Sequence, residues 1–268
     1  MKKRISPVDT ALAALDKRDA KNLNKRIRAA APLHHRLLDE KLPAKLKDTL
    51  RTAFLHAFEA VFSGGGLIDR TIPREKHITT YEIRRYTAEL QPNKRSFRAF
   101  SDDTKKIRHA NTLISGSIGT AMGLLGIGLP DIPVFVGFVL RTIRETALAN
   151  GFDCKTPGEQ YFMLLLIEAA LSRGDSAVCC ENTVNAWITA HRAIPAAAQK
   201  PAVLADQLQR TAYALSDAVL YDKFIQGIPI IGAAGGISDA FCVSGIGAYA
   251  ASKYERRRLL TQTESHHR

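Results

Sequence analysis

An all-α fold, a multi-helix bundle with two glycine-rich apolar helical segments, is predicted by three features of the sequence. Stretches rich in Ala, Leu, Lys and Arg repeat apolar residues at helical spacing, and little of the chain alternates in the manner of a half-buried strand. Two glycine-rich apolar runs, 111–130 and 224–252, carry almost no charge. No fixed-period repeat is present, which removes solenoid architectures.

Residues 8–62 place Leu12, Leu15, Leu23 and Ile27 at roughly helical spacing and read as charged amphipathic helices punctuated by Pro32 and Pro43. Ser63-Gly64-Gly65-Gly66 is a break, and the basic, weakly periodic stretch from Arg70 to Arg108 reads as loop with short helices. Residues 111–130 then run NTLISGSIGTAMGLLGIGLP without a charge, followed by Asp131 and the uncharged IPVFVGFVL up to Arg141. A bilayer-spanning helix needs about 20 apolar residues, so the length suffices. Five glycines between Gly116 and Gly128 and the Leu129-Pro130-Asp131-Ile132-Pro133 turn argue against one continuous span, since each glycine costs a helix about 1 kcal/mol. Ser115, Gly119 and Gly123 are instead spaced for close approach of two helix backbones, as are Gly232 and Gly236 in the second run. Between the runs, ordinary amphipathic helices are predicted at 157–173, 176–192 and 201–222.

Charge is unevenly spread. Residues 1–110 hold 25 basic and 13 acidic side chains, whereas 111–268 hold 13 of each, so the whole net charge of +12 sits in the first region. That excess suits anionic lipid, nucleic acid or an acidic partner. Tyr81, Tyr86, Phe97 and Phe100 are interleaved with Arg84, Arg85, Lys94, Arg95 and Arg98, a pattern that can stack bases, but a solvated basic face over core aromatics is the simpler reading. The second glycine-rich run ends in Lys253, Arg256, Arg257 and Arg258, which together with Lys105, Lys106 and Arg108 are expected to face a membrane. Cys154, Cys179, Cys180 and Cys242 contain no C-x-x-C and suit a reducing compartment, and the acids following the basic tip of the chain do not suit a secretory signal.

The order of motifs supplies a likeness. Gly128-Leu129-Pro130-Asp131-Ile132-Pro133, then Leu140-Arg141-Thr142-Ile143 with Glu145, then Asn150-Gly151-Phe152-Asp153, resembles the central signature of the EcsC family, with Asn150 standing where Tyr is usual. Gly227-Ile228-Pro229-Ile230-Ile231-Gly232-Ala233-Ala234, with Ala250 and Tyr254 beyond, resembles that family's later element, although Gln226 and Gly227 replace a basic approach and Asp239 replaces a common Asn. The likeness is strong over 100–260 and weak over 1–99, which divides the chain into a basic N-terminal region, 1–110, and an EcsC-like helical domain, 111–268. The resemblance implies a bacterial cytoplasmic protein, linked in some cases to ABC transporters, with a role in transport, secretion or envelope state.

No catalytic motif stands out. The histidines lack H-E-x-x-H, the serines lack G-x-S-x-G, and no phosphate-binding P-loop occurs, so neither cofactor nor metal is expected. The informative polar residues are Asp131 and Asp239, lone acids in apolar runs, with Arg141 and Glu145 as the nearest candidates for a shared polar site. Asp131 can alternatively cap the helix that follows it, and Arg141 can pair with Asp239 across helices or with Glu145 four residues on. The function expected is peripheral association with the inner membrane, through anionic lipid or a membrane protein such as an ABC transporter. The alternatives are a hydrolytic or metal-dependent enzyme built around Asp131, Arg141, Glu145 and Asp239, and an interaction module whose glycines pack a helical core.

Overall fold

The computed structural model describes residues 6–29, 43–63, 70–123, 131–191, 200–225 and 235–265; within these, positions 115–123, 131, 221–225, 235–241 and 264–265 are described as helical backbone only. Nine helices and no strand occur among the described residues: α1 (Pro7–Arg28), α2 (Ala44–Ser63), α3 (Arg74–Leu90), α4 (Lys94–Gly123), α5 (Asp131–Leu148), α6 (Pro157–Leu171), α7 (Gly174–Ala190), α8 (Pro201–Ile225) and α9 (Gly235–Ser265). The fold is an all-α bundle.

Local chemistry starts and stops these helices. Ser6 caps α1 by accepting from the Val8 amide at 3.2 Å, with Pro7 as the first helical residue, and Thr156 with Pro157 repeats the arrangement at α6. Helix α5 ends in a Schellman turn, in which the Phe152 amide reaches the Ala147 carbonyl and the Gly151 amide that of Leu148. Gly151 takes φ +85°, and its Cα lies so close to Tyr81 that an added Cβ would meet Tyr81 Cζ at 2.3 Å.

The expectation of loop with short helices over 70–108 is corrected: α3 has 17 residues, and α4 runs for 30 from Lys94. Apolar periodicity is weak there because α3 buries only Ala88, and its outer face is held by the Arg85 pairs to Glu82 and Glu89. At the start of α4, Asn93 Oδ1 accepts from the Arg95 and Ser96 amides while the Ser96 hydroxyl accepts from the Asn93 amide, a reciprocal cap. Residue 110 falls inside α4, and α1 packs on α7 and α9 while α2 packs on α5 and α8. The change in charge at 110 therefore marks a change of surface and not a break in the fold.

The core is one large cluster and a smaller one, in which Val8 and Leu15 of α1 meet Phe97 of α4 and Leu259 of α9. In the large cluster Phe54 and Phe58 of α2, Leu140 and Ile143 of α5, Val184 and Ile188 of α7, Leu215 of α8 and Ile246 and Tyr254 of α9 join α6, whose run Phe162–Ile167 is buried all round. Helix α9 is the second organiser, packed most extensively on α4 and also on α5, α6 and α1. Gly247 permits this: a Cβ there would meet Thr142 Cγ2 of α5 at 2.9 Å and Arg108 Cγ of α4 at 3.3 Å. Of the glycines expected to pack helices, Gly119, Gly123 and Gly236 fall in helical backbone, while Gly232 lies outside the described residues.

Candidate functional site on α4, with the polar framework behind it

The polar site expected around α5 is assembled in part. Arg141 Nε donates to Glu145 Oε1 at 3.1 Å one turn along α5, and Asn111 Nδ2 of α4 donates to Glu145 Oε2 at 2.5 Å. Glu145 is buried, so this pairing meets the requirement that a buried carboxylate have both charge and hydrogen-bond partners. His77 of α3 lies in the same electrostatic neighbourhood. Burial pushes its pKa down despite the nearby Glu145, and its Nε2 is enclosed without a hydrogen-bond partner among the described residues. The side chains of Asp131 and Asp239 lie outside the described residues, and α5 begins at Asp131.

The basic cluster that closes α9 is not a membrane-facing patch, which corrects the expectation for Lys253, Arg257 and Arg258. All three are buried; acids on other helices meet Lys253 and Arg257, while Arg258 is met by an aromatic ring and an amide. Lys253 Nζ pairs with Glu181 of α7 and, at 3.0 Å, with Asp19 of α1. Arg257 Nη1 lies 2.7 Å from Glu159 of α6, donates through Nε to the His191 carbonyl, and has its guanidinium 4.1 Å from the Phe152 ring centre and 4.8 Å from that of Trp187. Arg258 sits 3.9 Å over Phe100 and donates to Asn150 Oδ1, and burial pushes its pKa down to about 10. Arg256 is partly exposed but engaged with Asp16 at 2.5 Å and Asp19 at 3.3 Å.

This framework assigns structural work to the signature Asn150-Gly151-Phe152-Asp153. Asn150 holds Arg258, Gly151 makes the turn against Tyr81, Phe152 lies under Arg257, and Asp153 bridges to Arg74 at 2.5 Å. Spacing did not single out Asn111, His77, Glu159, Glu181 or Gly247; the only sequence signal was that buried charges need partners of opposite sign.

The outward face of α4 is different in kind. Lys105 and Lys106 are exposed and, among the described residues, tied only to Asp102 at 3.0 Å and Asp103 at 3.9 Å on the same helix. Exposed pairs of this type are worth about 0–1 kcal/mol and leave the charges available to a partner. Arg108 is half-buried, its stem laid over Gly247, and burial together with Arg18 lowers its pKa. Two turns beyond Lys106 on the same face, Leu113 is 72% exposed; Ile114 follows at 38%, and Val134 in the first turn of α5 is 36% exposed. Basic side chains thus lead, over about 10 Å, into exposed apolar ones where the charge-free run begins. Phe97 and Phe100, which the sequence interleaves with arginines, are in the core. Among the described residues no group of three His, Cys, Asp or Glu could hold a metal ion, and no helix is long and apolar enough to cross a membrane.

An all-helical bundle whose turns are tied down by charges of its last helix is thus the class to which the fold and site point. A family model described as the EcsC protein family matches residues 10–259, and the chain belongs to that family. The match begins well before residue 100, in keeping with α1 and α2 being packed into the same bundle. Comparison with curated proteins and with solved structures gave no match.

Proposed function

We propose that this EcsC protein binds peripherally to an anionic membrane surface through the outer face of α4 and the charge-free run that follows it. The observation that carries this reading is the order Lys105, Lys106, Leu113, Ile114 along the exposed side of one helix: cations to engage headgroups, then apolar side chains to enter the acyl boundary. Neither part alone gives more than weak attachment, and the two together give reversible binding. The reading places the protein at the cytoplasmic side of the inner membrane and accords with the transport, secretion or envelope role that the family likeness implies, with anionic lipid or a membrane protein such as an ABC transporter as partner.

Fractionation tests it. Membranes from cells producing the chain should retain it through a low-salt wash and release it in high salt or carbonate, and Leu113→Asp should shift it to the unbound fraction even at low salt. Absence from the membrane fraction at low salt, or retention through both washes, would contradict the proposal.

A further inference from the structure

A cleft of about 310 Å3 opens where the end of α2, the start of α3, α5 and the α5–α6 turn meet, on elements other than α4. Its walls are chemically divided. Phe62, Ile72 and Leu148 supply an apolar side, while Arg74, Arg144 and Lys155 supply cations and Asp153 a carboxylate. Arg144 lines the cleft although only 7% exposed, so one cation is set into the wall and not merely draped over the rim. Asp153 occupies Arg74 through two contacts, at 2.5 and 3.1 Å, but both side chains are more than a third exposed, and such a bridge yields readily to a better acceptor.

We propose that this cleft binds a small amphiphilic anion, with an oxyanion head (carboxylate or phosphate) against Lys155, Arg144 and Arg74 and a short apolar body against Phe62, Ile72 and Leu148. Charge-assisted and bidentate hydrogen bonds from guanidinium groups are the stronger ones available to either head, and the apolar wall distinguishes an amphiphile from a bare ion. A cleft of that volume admits such a head with a short alkyl chain. The ligand's head takes the place of Asp153 on Arg74, so Asp153 acts as an internal competitor. This assignment is independent of membrane binding by α4.

Titration calorimetry of the full chain tests it with four probes: hexyl phosphate, hexanoate, inorganic phosphate and hexanol. At least one of the two amphiphilic anions should bind one to one, about tenfold or more tighter than both inorganic phosphate and hexanol, and which of them binds identifies the head. Lys155→Glu, an exposed change that leaves the fold intact by circular dichroism, should weaken binding about tenfold, whereas Asp153→Asn should tighten it by removing the competitor. The opposite signs separate a binding role from a purely structural one, because a change that merely disturbed the fold would not raise affinity. No heat with either amphiphile at millimolar concentration, equal binding of hexanol or of inorganic phosphate, an unaffected Lys155→Glu, or no gain in Asp153→Asn would overturn the proposal.

Discussion

Arg257 and Glu159 meet at 2.7 Å with side chains 1% and 2% exposed, joining the last helix to the first turn of α6 in the centre of the bundle. The guanidinium also faces Phe152 and Trp187, so the pair is enclosed by aromatic rings instead of water. Breaking a pair in such a setting leaves a buried charge, and Arg257→Met should cost about 3–5 kcal/mol in urea denaturation. Arg257→Lys should recover only part of that loss, because an ammonium cannot reproduce the planar stack or keep both the Glu159 and His191 bonds. Full recovery by lysine would show that charge alone matters there.

Lys253 gives a pH-dependent counterpart. Burial, the largest single influence, raises the pKa of Asp19 and of Glu181, but it is outweighed by the Lys253 charge acting together with hydrogen bonds from Ser252 and Lys253 to Asp19 and from Lys253 and Tyr249 to Glu181, and with the charges of Arg256 and Arg26. Both carboxyls therefore lie below their ordinary values of 3.8 and 4.5. A depressed folded pKa contributes stability that is present above the unfolded value and is lost as pH falls through the folded one. Wild-type stability should decline as pH drops below about 4.5, and Lys253→Met should lose about 3–5 kcal/mol near neutral pH and show a shallower further decline in acid. Parallel acid limbs for the two proteins, read from urea midpoints across pH, would remove Lys253 as the cause.

Much of the bundle was legible before the structure. Helices were expected at 157–173, 176–192 and 201–222, and they occur at 157–171, 174–190 and 201–225, because Thr156-Pro157 and Pro201 mark starts and the apolar content between them is high. The stretch from Arg70 to Arg108 reads as loop with short helices in the sequence but is helical over most of its length, since its helices rest on charge pairs and on the Asn93–Ser96 cap more than on a buried stripe. Lys253, Arg257 and Arg258 were taken for a surface patch for a related reason. A local run of cations shows its charge but not the acids that meet it, and Glu181, Glu159 and Asp19 lie 72, 98 and 234 residues from their partners, on other helices. Close glycine packing was expected from the G-x-x-x-G spacing, yet the glycine that packs tightly in the described part of α9 is Gly247, because spacing alone does not say which face of a helix is covered.

Gly151 is the tightest backbone point in the α5–α6 turn. Alanine there would combine a left-handed backbone, worth about 1–3 kcal/mol, with a contact of 2.3 Å to Tyr81. Gly151→Ala should lower the thermal midpoint strongly, and adding Tyr81→Ala should relieve less than the whole loss, since the backbone term stays. Complete rescue by Tyr81→Ala would show that the backbone angle costs nothing.

Arg141 has two candidate counter-ions in the sequence, and the structure pairs it with Glu145 at 3.1 Å. A double-mutant cycle between Arg141→Met and Glu145→Gln should give coupling of about 1 kcal/mol or more, given that Glu145 is buried and Arg141 only one-fifth exposed. Coupling near zero in that cycle, with a large value for Arg141→Met against Asp239→Asn, would restore the inter-segment pair.

The membrane reading rests on α4, and salt-dependent binding to vesicles tests it most directly. The full chain should bind phosphatidylglycerol vesicles at low salt, bind phosphatidylcholine vesicles weakly, and lose affinity steeply as salt rises. Reversing the two exposed cations in Lys105→Glu/Lys106→Glu should lower affinity for the anionic vesicles by about tenfold or more at low salt, at roughly 1 kcal/mol for each charge near the surface. Equal binding to the two lipids, or a doubly reversed variant that binds as tightly as the parent, would contradict the assignment of this face to the membrane.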